Sequence, residues 1–272
     1  MQGYLKMVLL GAVLLGVSLG ASASISFLTS SQPAAPDFLG SITTRDSITA
    51  QVVETAPSGL DDPNIENTPD VWLGLIENAH QTIDMEIYTI WEDSGGPIGD
   101  VHNAIYAAAA RGVKIRMLID NGTYHYTDTK PLMDAFDSDN NIEVRQLSRL
   151  MHSKVIIVDN EVAYVGSANE SRNAMLSDRE TGIRVQSGVL AQELEQIFEA
   201  GWTENGNQPA PANELDQQWI YPVATPIYVP NWVPATEDVV IGFLNSAKCT
   251  IHASIYVFSG SPYILRNAIE NA

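Results

Sequence analysis

Residues 151–169 read Met151-His-Ser-Lys-Val-Ile-Ile-Val-Asp-Asn-Glu-Val-Ala-Tyr-Val-Gly-Ser-Ala-Asn169, and the fold is read outward from this stretch. Val155 to Val158 is an unbroken apolar run, as expected of a strand buried on both faces. Asp159-Asn160 supplies turn residues, and Val162 to Val165 returns as the partner strand. Side chains two apart on a strand share a face, so His152 and Lys154 project together while Ser153 points the other way. Gly166 permits a sharp bend that would bring Ser167 and Asn169 back beside the histidine.

On either side, from about Ala50, strand-like and helix-like segments alternate, which predicts an α/β domain. Helices are expected over Asp70–Ala79, Ile98–Arg111, Lys130–Phe136 and Leu190–Trp202. Strands are expected over Thr82–Ile90, Val113–Ile119 (ending at Asp120), Ile142–Arg145 and Arg179–Val185. The segment Asp70–Ile90 recurs as Asp238–Phe258, with identities that include Gly74/Gly242, Ile83/Ile251, Ile87/Ile255 and Tyr88/Tyr256. Asn103-Ala-Ile105 then matches Asn267-Ala-Ile269. The chain is therefore divided into a first unit at 49–206, a polar, Pro-containing linker at 207–234, and the start of a second, duplicated unit at 235–272.

Composition narrows the partners. The 272 residues carry 14 Lys and Arg against 33 Asp and Glu, a net charge of −19. That excludes a generic nucleic-acid coat protein, which needs a basic surface, so any phosphate partner must be met by a local site. One cysteine, Cys249, makes no internal disulfide. Met7 to Gly20 is apolar, follows Lys6 and precedes the small-residue site Ala21-Ser22-Ala23. Residues 1–24 thus read as a signal peptide or membrane anchor, placing the rest outside the cytosol, and residues 25–48 as a flexible tether.

An imidazole beside an ammonium, with hydroxyl and amide donors nearby, suits a phosphodiester. Neutral His152 could attack phosphorus, while Lys154, Ser167 and Asn169 hold the non-bridging oxygens. The nucleophile needs its other nitrogen held by a carboxylate, for which Glu180 is the candidate. Taken singly, these residues are ordinary strand-end, surface and turn groups. Together, His-x-Lys-x4-Asp-x6-Gly-Ser-x-Asn would arise by chance about once in 10⁵ chains of this length.

The pattern resembles the signature of the phospholipase D superfamily. His152, Lys154 and Asp159 match its His-Lys-Asp motif, and Gly166, Ser167 and Asn169 its Gly-Ser-x-Asn extension. Glu180 falls where the family places the carboxylate that orients the nucleophile. Asp159 completes the set of candidate catalytic residues, although it matches an aspartate that is mainly structural. Val53–Leu60 and Trp72–His80 resemble the membrane-anchored subfamily of lysosomal 5′ exonucleases and poxvirus envelope homologues. The resemblance implies a phospholipase D-like lobe, with a mixed central sheet flanked by helices, and metal-independent phosphodiester hydrolysis through a phosphohistidine. Neither cofactor nor metal is expected.

Family enzymes build one site from two such motifs, and no second His-x-Lys occurs here. The chain is thus read as the front of a two-lobed enzyme, C-terminally truncated, that needs its second lobe or a homodimer to complete the site. The expected substrate is single-stranded nucleic acid or phospholipid. The alternatives are a phospholipid hydrolase or phosphatidyltransferase of the cardiolipin synthase kind, and an inactive half-enzyme that binds phosphate groups or a partner. Arg145, Arg149, Arg172 and Arg179 are candidate local cations, and His125 a candidate groove residue.

Overall fold

The computed structural model describes residues 7–10, 42–45, 48–91, 95–209, 220–224 and 228–246. In chain order the first elements are β1 (Met7–Leu10), β2 (Ile42–Arg45), β3 (Ile48–Thr55), β4 (Glu66–Asn67), α1 (Thr68–Glu77) and β5 (Thr82–Ile87). There follow α2 (Gly96–Ala110), β6 (Lys114–Asp120), α3 (Asn121–Tyr124), α4 (Thr129–Asp137), β7 (Ile142–Leu147) and β8 (Lys154–Val158). The last are β9 (Val162–Gly166), α5 (Arg172–Leu176), β10 (Glu180–Gln186), α6 (Gly188–Trp202), β11 (Ile220–Val223) and α7 (Thr236–Ser246).

The sheet is mixed, as expected. Its strands run β2-β3-β10-β9-β8-β5-β6-β7, with β4 alongside β3. Strands β5, β6 and β7 are parallel, whereas β8 is antiparallel to β5 and every later step of the path to β2 is antiparallel. All five residues of β8 are buried, which explains its continuous apolar run. Ile156 and Val158 join the core on the side of α1, α2 and α4, with Trp72, Ile105 and Phe136. Val155 and Ile157 join the opposite core, with Leu190, Leu194 and Phe198 of α6. By the same alternation Lys154 belongs to the α1–α2 face and Ser153 to the α6 face. Ser153 hydrogen-bonds Glu86, whose carboxyl is pushed up by burial and drawn back by that bond. On the α6 face, Arg116 reaches Asp84 at 2.5 Å, Glu195 at 2.6 Å and Glu199 at 2.5 Å, tying the sheet to that helix.

Two local devices shape the hairpin. Tyr164 is fully buried between β8 and β10, edge-on to Trp72 at 5.6 Å. A Cβ added at Gly182 would stand 2.5 Å from its ring, and one at Gly166, paired across from Gly182, would strike its hydroxyl. Both glycines are therefore space for one ring. At the hairpin turn Asp159 and Asn160 adopt φ of 54° and 55°, the left-handed conformation that Asp and Asn tolerate. The Asp159 carboxylate accepts from the backbone N–H of His80, Gln81 and Thr82 at 2.8, 2.7 and 2.8 Å, so it fastens the α1–β5 connection to the end of β8.

Three sequence expectations change. The tether drawn at 25–48 includes β2, which pairs with β3 in the main sheet. The linker drawn at 207–234 includes β11, which lies 168 residues beyond Val52–Thr55, as α7 begins 168 beyond Thr68. Ala224 bridges Ala235 in parallel just before α7, much as Glu54 pairs with Asn67 just before α1. β11 and α7 thus follow the order of β3 and α1, and Pro222 hid the strand because proline weakens any strand pattern. The stretch 121–129, given neither helix nor strand in the sequence reading, holds the short helix α3, with His125 exposed just after it.

Of the apolar run Met7–Gly20, only Met7–Leu10 is described, as a strand paired in parallel with β11. Ala21–Ala23, Cys249, the part of the repeat over Thr250–Phe258, and Asn267–Ile269 lie outside the described residues. Among the described residues no helix is long and apolar enough to cross a membrane.

Gly182→Ala should cost about 1–3 kcal/mol through overpacking against Tyr164, read as a lower denaturation midpoint. An unchanged midpoint would remove the ring from this place. Asp159→Ala should cost about 1–3 kcal/mol through loss of three backbone acceptor bonds. Its effect should be on stability, with the His152 titration, followed by NMR, unmoved.

Candidate active site

Antiparallel pairing puts the start of β8 beside the end of β5, and the end of β9 beside the start of β10. Parallel pairing puts the ends of β5 and β6 together. Lys154, Tyr88, Asp120, Gly166 and Glu180 therefore share one edge of the sheet, and the geometry there is specific.

The Lys154 side chain is 2% exposed. Its Nζ donates to the carbonyl of His152 at 2.9 Å and lies 4.8 Å from the Tyr88 ring centroid. Burial pushes the ammonium pKa down to about 7, against the opposing pull of Glu180 and Asp120. The His152 ring packs 4.4 Å from that of Tyr88. Burial first, and then the Lys154 charge, bring the imidazole down to about 4, with Asp120 opposing. The cluster is thus biased toward a neutral imidazole beside a charged lysine.

Asp120 ends β6 as a buried carboxylate. One oxygen accepts from Met151 N at 2.8 Å and the other from Thr123 N at 3.1 Å. It holds the backbone that delivers His152 and caps α3 at the same time. The Ser167 hydroxyl donates to Glu180 and accepts from Thr181 N at 3.0 Å. Burial raises the Glu180 carboxyl, while Ser167 and Lys154 draw it back. Asn169 is half-buried, and its amide oxygen has no partner, so this group keeps hydrogen-bonding capacity.

The next residue, Glu170, is wholly buried and lies 2.8 Å from His102 Nε2 on α2. Its backbone N–H donates to Thr89 O at 3.2 Å and its carbonyl accepts from Trp91 N at 3.0 Å. The Gly-Ser-x-Asn loop is thereby stitched to the segment that carries Tyr88.

His152, Lys154, Ser167, Asn169 and Glu180 are thus gathered on one edge. Glu180 hydrogen-bonds Ser167 rather than His152, so in this state it acts on the histidine only at one remove. Asp159 is not in the cluster: it sits at the other end of β8, roughly 16 Å along the strand from Lys154. Arg145 pairs with Glu143 at 2.7 Å and stacks on Trp202, and Arg179 lies 3.9 Å from Glu54. Among the described residues, no three His, Cys, Asp or Glu side chains gather as a metal site would require.

Sequence reasoning missed Tyr88, Asp120 and the His102–Glu170 pair. Tyr88 was marked by its recurrence as Tyr256. Asp120 was marked by its place at the carboxyl end of a parallel strand, where α/β sites gather. Nothing in the sequence joined His102 to Glu170.

The family described as "Cardiolipin synthase, PLD-like domain" matches residues 73–202. Phospholipase D Y of Dictyostelium discoideum is 31% identical over 183 residues, covering 61% of this chain and 41% of that protein. The 5′-3′ exonuclease PLD3 of Bos taurus is 29% identical over 174 residues, covering 58% of this chain and 36% of that protein. The chain therefore spans about two fifths of the length of these relatives. Among solved structures, the phospholipase D family member Nuc of Salmonella typhimurium aligns at 23% identity and a TM-score of 0.49, over 57% of this chain and 95% of that one. Residues 73–202, which hold the His-x-Lys-x4-Asp and Gly-Ser-x-Asn motifs, thus match a phospholipase D-like domain.

Proposed function

We propose that this protein is a phosphodiesterase in which His152 attacks phosphorus and is transiently phosphorylated. The observation that carries the reading is geometric: the His152 ring packs on Tyr88 at 4.4 Å beside the buried Lys154, whose Nζ is bonded to the His152 carbonyl at 2.9 Å and lies 4.8 Å from the same ring. A neutral imidazole has a lone pair to give, and a charged lysine beside it stabilises the non-bridging oxygens as charge builds on them. Asn169 supplies a further donor. Ser167 is committed to Glu180, so it reaches a phosphate oxygen only by turning its hydroxyl. In the step, a P–N bond forms to His152, the P–O bond to the leaving group breaks, and water later hydrolyses the phosphohistidine.

The leading substrate is single-stranded nucleic acid, a reading supported by similarity to a 5′-3′ exonuclease. The second reading, phospholipid hydrolysis or phosphatidyl transfer, is supported by the cardiolipin synthase description of the matched family. The leaving oxygen needs an acid, which a second His-x-Lys motif would supply from another lobe or a second copy of the chain. The apolar run Met7–Gly20 is the basis for placing the protein outside the cytosol, tethered to a membrane or secreted.

The test is acid-quench trapping of labelled phosphohistidine on the full chain, using labelled single-stranded DNA and phosphatidylcholine in parallel. His152→Ala should abolish labelling and lower turnover on the order of 10⁴-fold or more. Lys154→Ala should lower turnover about 10²–10³-fold. Label that survives in His152→Ala would move the nucleophile elsewhere, and product from lipid alone would sink the nuclease reading.

The pH profile follows from the two shifts. His152 must be neutral, so kcat/KM rises as pH passes about 4. Lys154 must be charged, so kcat/KM falls as pH passes about 7. An optimum well above neutral would contradict the assigned roles.

A further inference from the structure

Large aromatic rings stand in water beside the reactive edge. Trp91 is 46% exposed and Tyr126 48% exposed, while Tyr88 is half-buried with its ring on His152. Isolated exposed rings need no explanation, but these three sit on segments bonded to one another. Thr123 Oγ1 donates to Tyr88 O, and Thr129 Oγ1 to Ile90 O at 2.7 Å. Trp91 N donates to Glu170 O at 3.0 Å, one residue from Asn169. Tyr126 N donates to Thr123 O at 3.0 Å, and Tyr126 O accepts from Thr129 N and Lys130 N. Burial raises the Tyr88 hydroxyl, and the Tyr126 hydroxyl is near enough to add to that rise. The backbones under the rings are thus fixed, so a stacking ligand would have little chain entropy left to quench.

We propose that Tyr88, Trp91 and Tyr126 form a shelf on which the unpaired bases of a single-stranded nucleic acid stack beside His152. The proposal rests on the nuclease form of the function above and deepens it by assigning the base subsite. Charge favours this occupant's faces over its backbone. With a net charge of −19, the protein cannot hold a polyanion by broad counterion release. Two nearby cations are already engaged: Lys130 pairs with Asp134 at 2.6 Å and Arg145 with Glu143 at 2.7 Å. Lys154 neutralises one phosphate at the reaction centre, so affinity for the rest of the strand must come from stacking. Flat rings held on a rigid backbone suit bases, which present a π-face whatever their sequence.

Binding is measured by fluorescence anisotropy on full-length His152→Ala protein, which cannot turn the probe over by the proposed route. The probes are a labelled short oligothymidylate, the same phosphodiester backbone without bases, and phosphatidylcholine vesicles. Oligothymidylate should bind more tightly than the abasic strand. Trp91→Ala and Tyr126→Ala should each weaken oligothymidylate about 5- to 150-fold and leave the abasic strand unchanged, and Trp91→Phe should restore most of the loss. The logarithm of affinity should fall with that of salt at a slope of about −0.7, as for one neutralised phosphate. Melting temperatures of the variants guard against misfolding, because both rings are half in water and their removal should not move them. Equal binding of the two strands, no oligothymidylate binding, or no effect of the variants would overturn the shelf. Vesicle binding that depends on Trp91 would overturn it too, and would make the rings a lipid contact. None of these outcomes touches phosphohistidine formation at His152, so the shelf can fail while the phosphodiesterase reading stands.

Discussion

A lysine ammonium buried at the first residue of the central strand is the constraint around which this lobe is built. Taking such a charge out of water is costly unless other groups replace the water. Lys154 finds a carbonyl at 2.9 Å on the chain that carries His152, the face of Tyr88, and the fields of Glu180 and Asp120. Those groups come from β8, β5, β10 and β6. One buried charge therefore requires four strand ends to arrive at the same edge, and the mixed topology is what allows it. Parallel β5 and β6 end there, and antiparallel β8 and β10 begin there.

The packing beneath the edge follows from the same demand. A strand that must hold a buried cation at its start cannot be left open on either face. α1, α2 and α4 close one side and α6 the other. Tyr164 fills the layer under the hairpin only because Gly166 and Gly182 yield their side-chain space. Gly166 is needed for the ring to pass; it is still paired in β9, and the chain bends at the next residue, Ser167. Asp159 sits at the far end of the strand, away from this cluster. It fastens the end of β8 to the α1–β5 connection, a role in the stability of the lobe.

Much of this was legible in the sequence because it is local or periodic. The run Val155–Val158 could be nothing but a doubly buried strand, and the parity of His152 and Lys154 followed from the pleat. The opposite parity of Ser153 shows in its bond to Glu86. What stayed hidden was pairing across long sequence distance. His102 and Glu170 meet through the docking of α2, and no spacing rule joins them. Glu180 looked like a partner of the histidine by its place in the pattern. The Ser167 hydroxyl, however, stands at the bend after β9 and takes that carboxylate first. β11 was lost for a compositional reason, its Pro222, although the repeat was already visible in the helix that follows.

The titration of the cluster separates its roles. An imidazole lowered to about 4 stays neutral through mildly acidic water, so it has a lone pair when the neighbouring ammonium, lowered only to about 7, is still charged. The two groups repel each other when both are protonated, and this widens the interval in which one is neutral and the other charged. The same shift makes His152 a poor proton donor near neutrality, since a group that weakly holds its proton carries almost none there. On the proposed reaction, then, the residue that attacks phosphorus cannot also be the acid that releases the leaving oxygen. On that proposal the acid is a group other than His152, and the charges of Lys154 and Asp120 bear on the imidazole more directly than the net charge of −19.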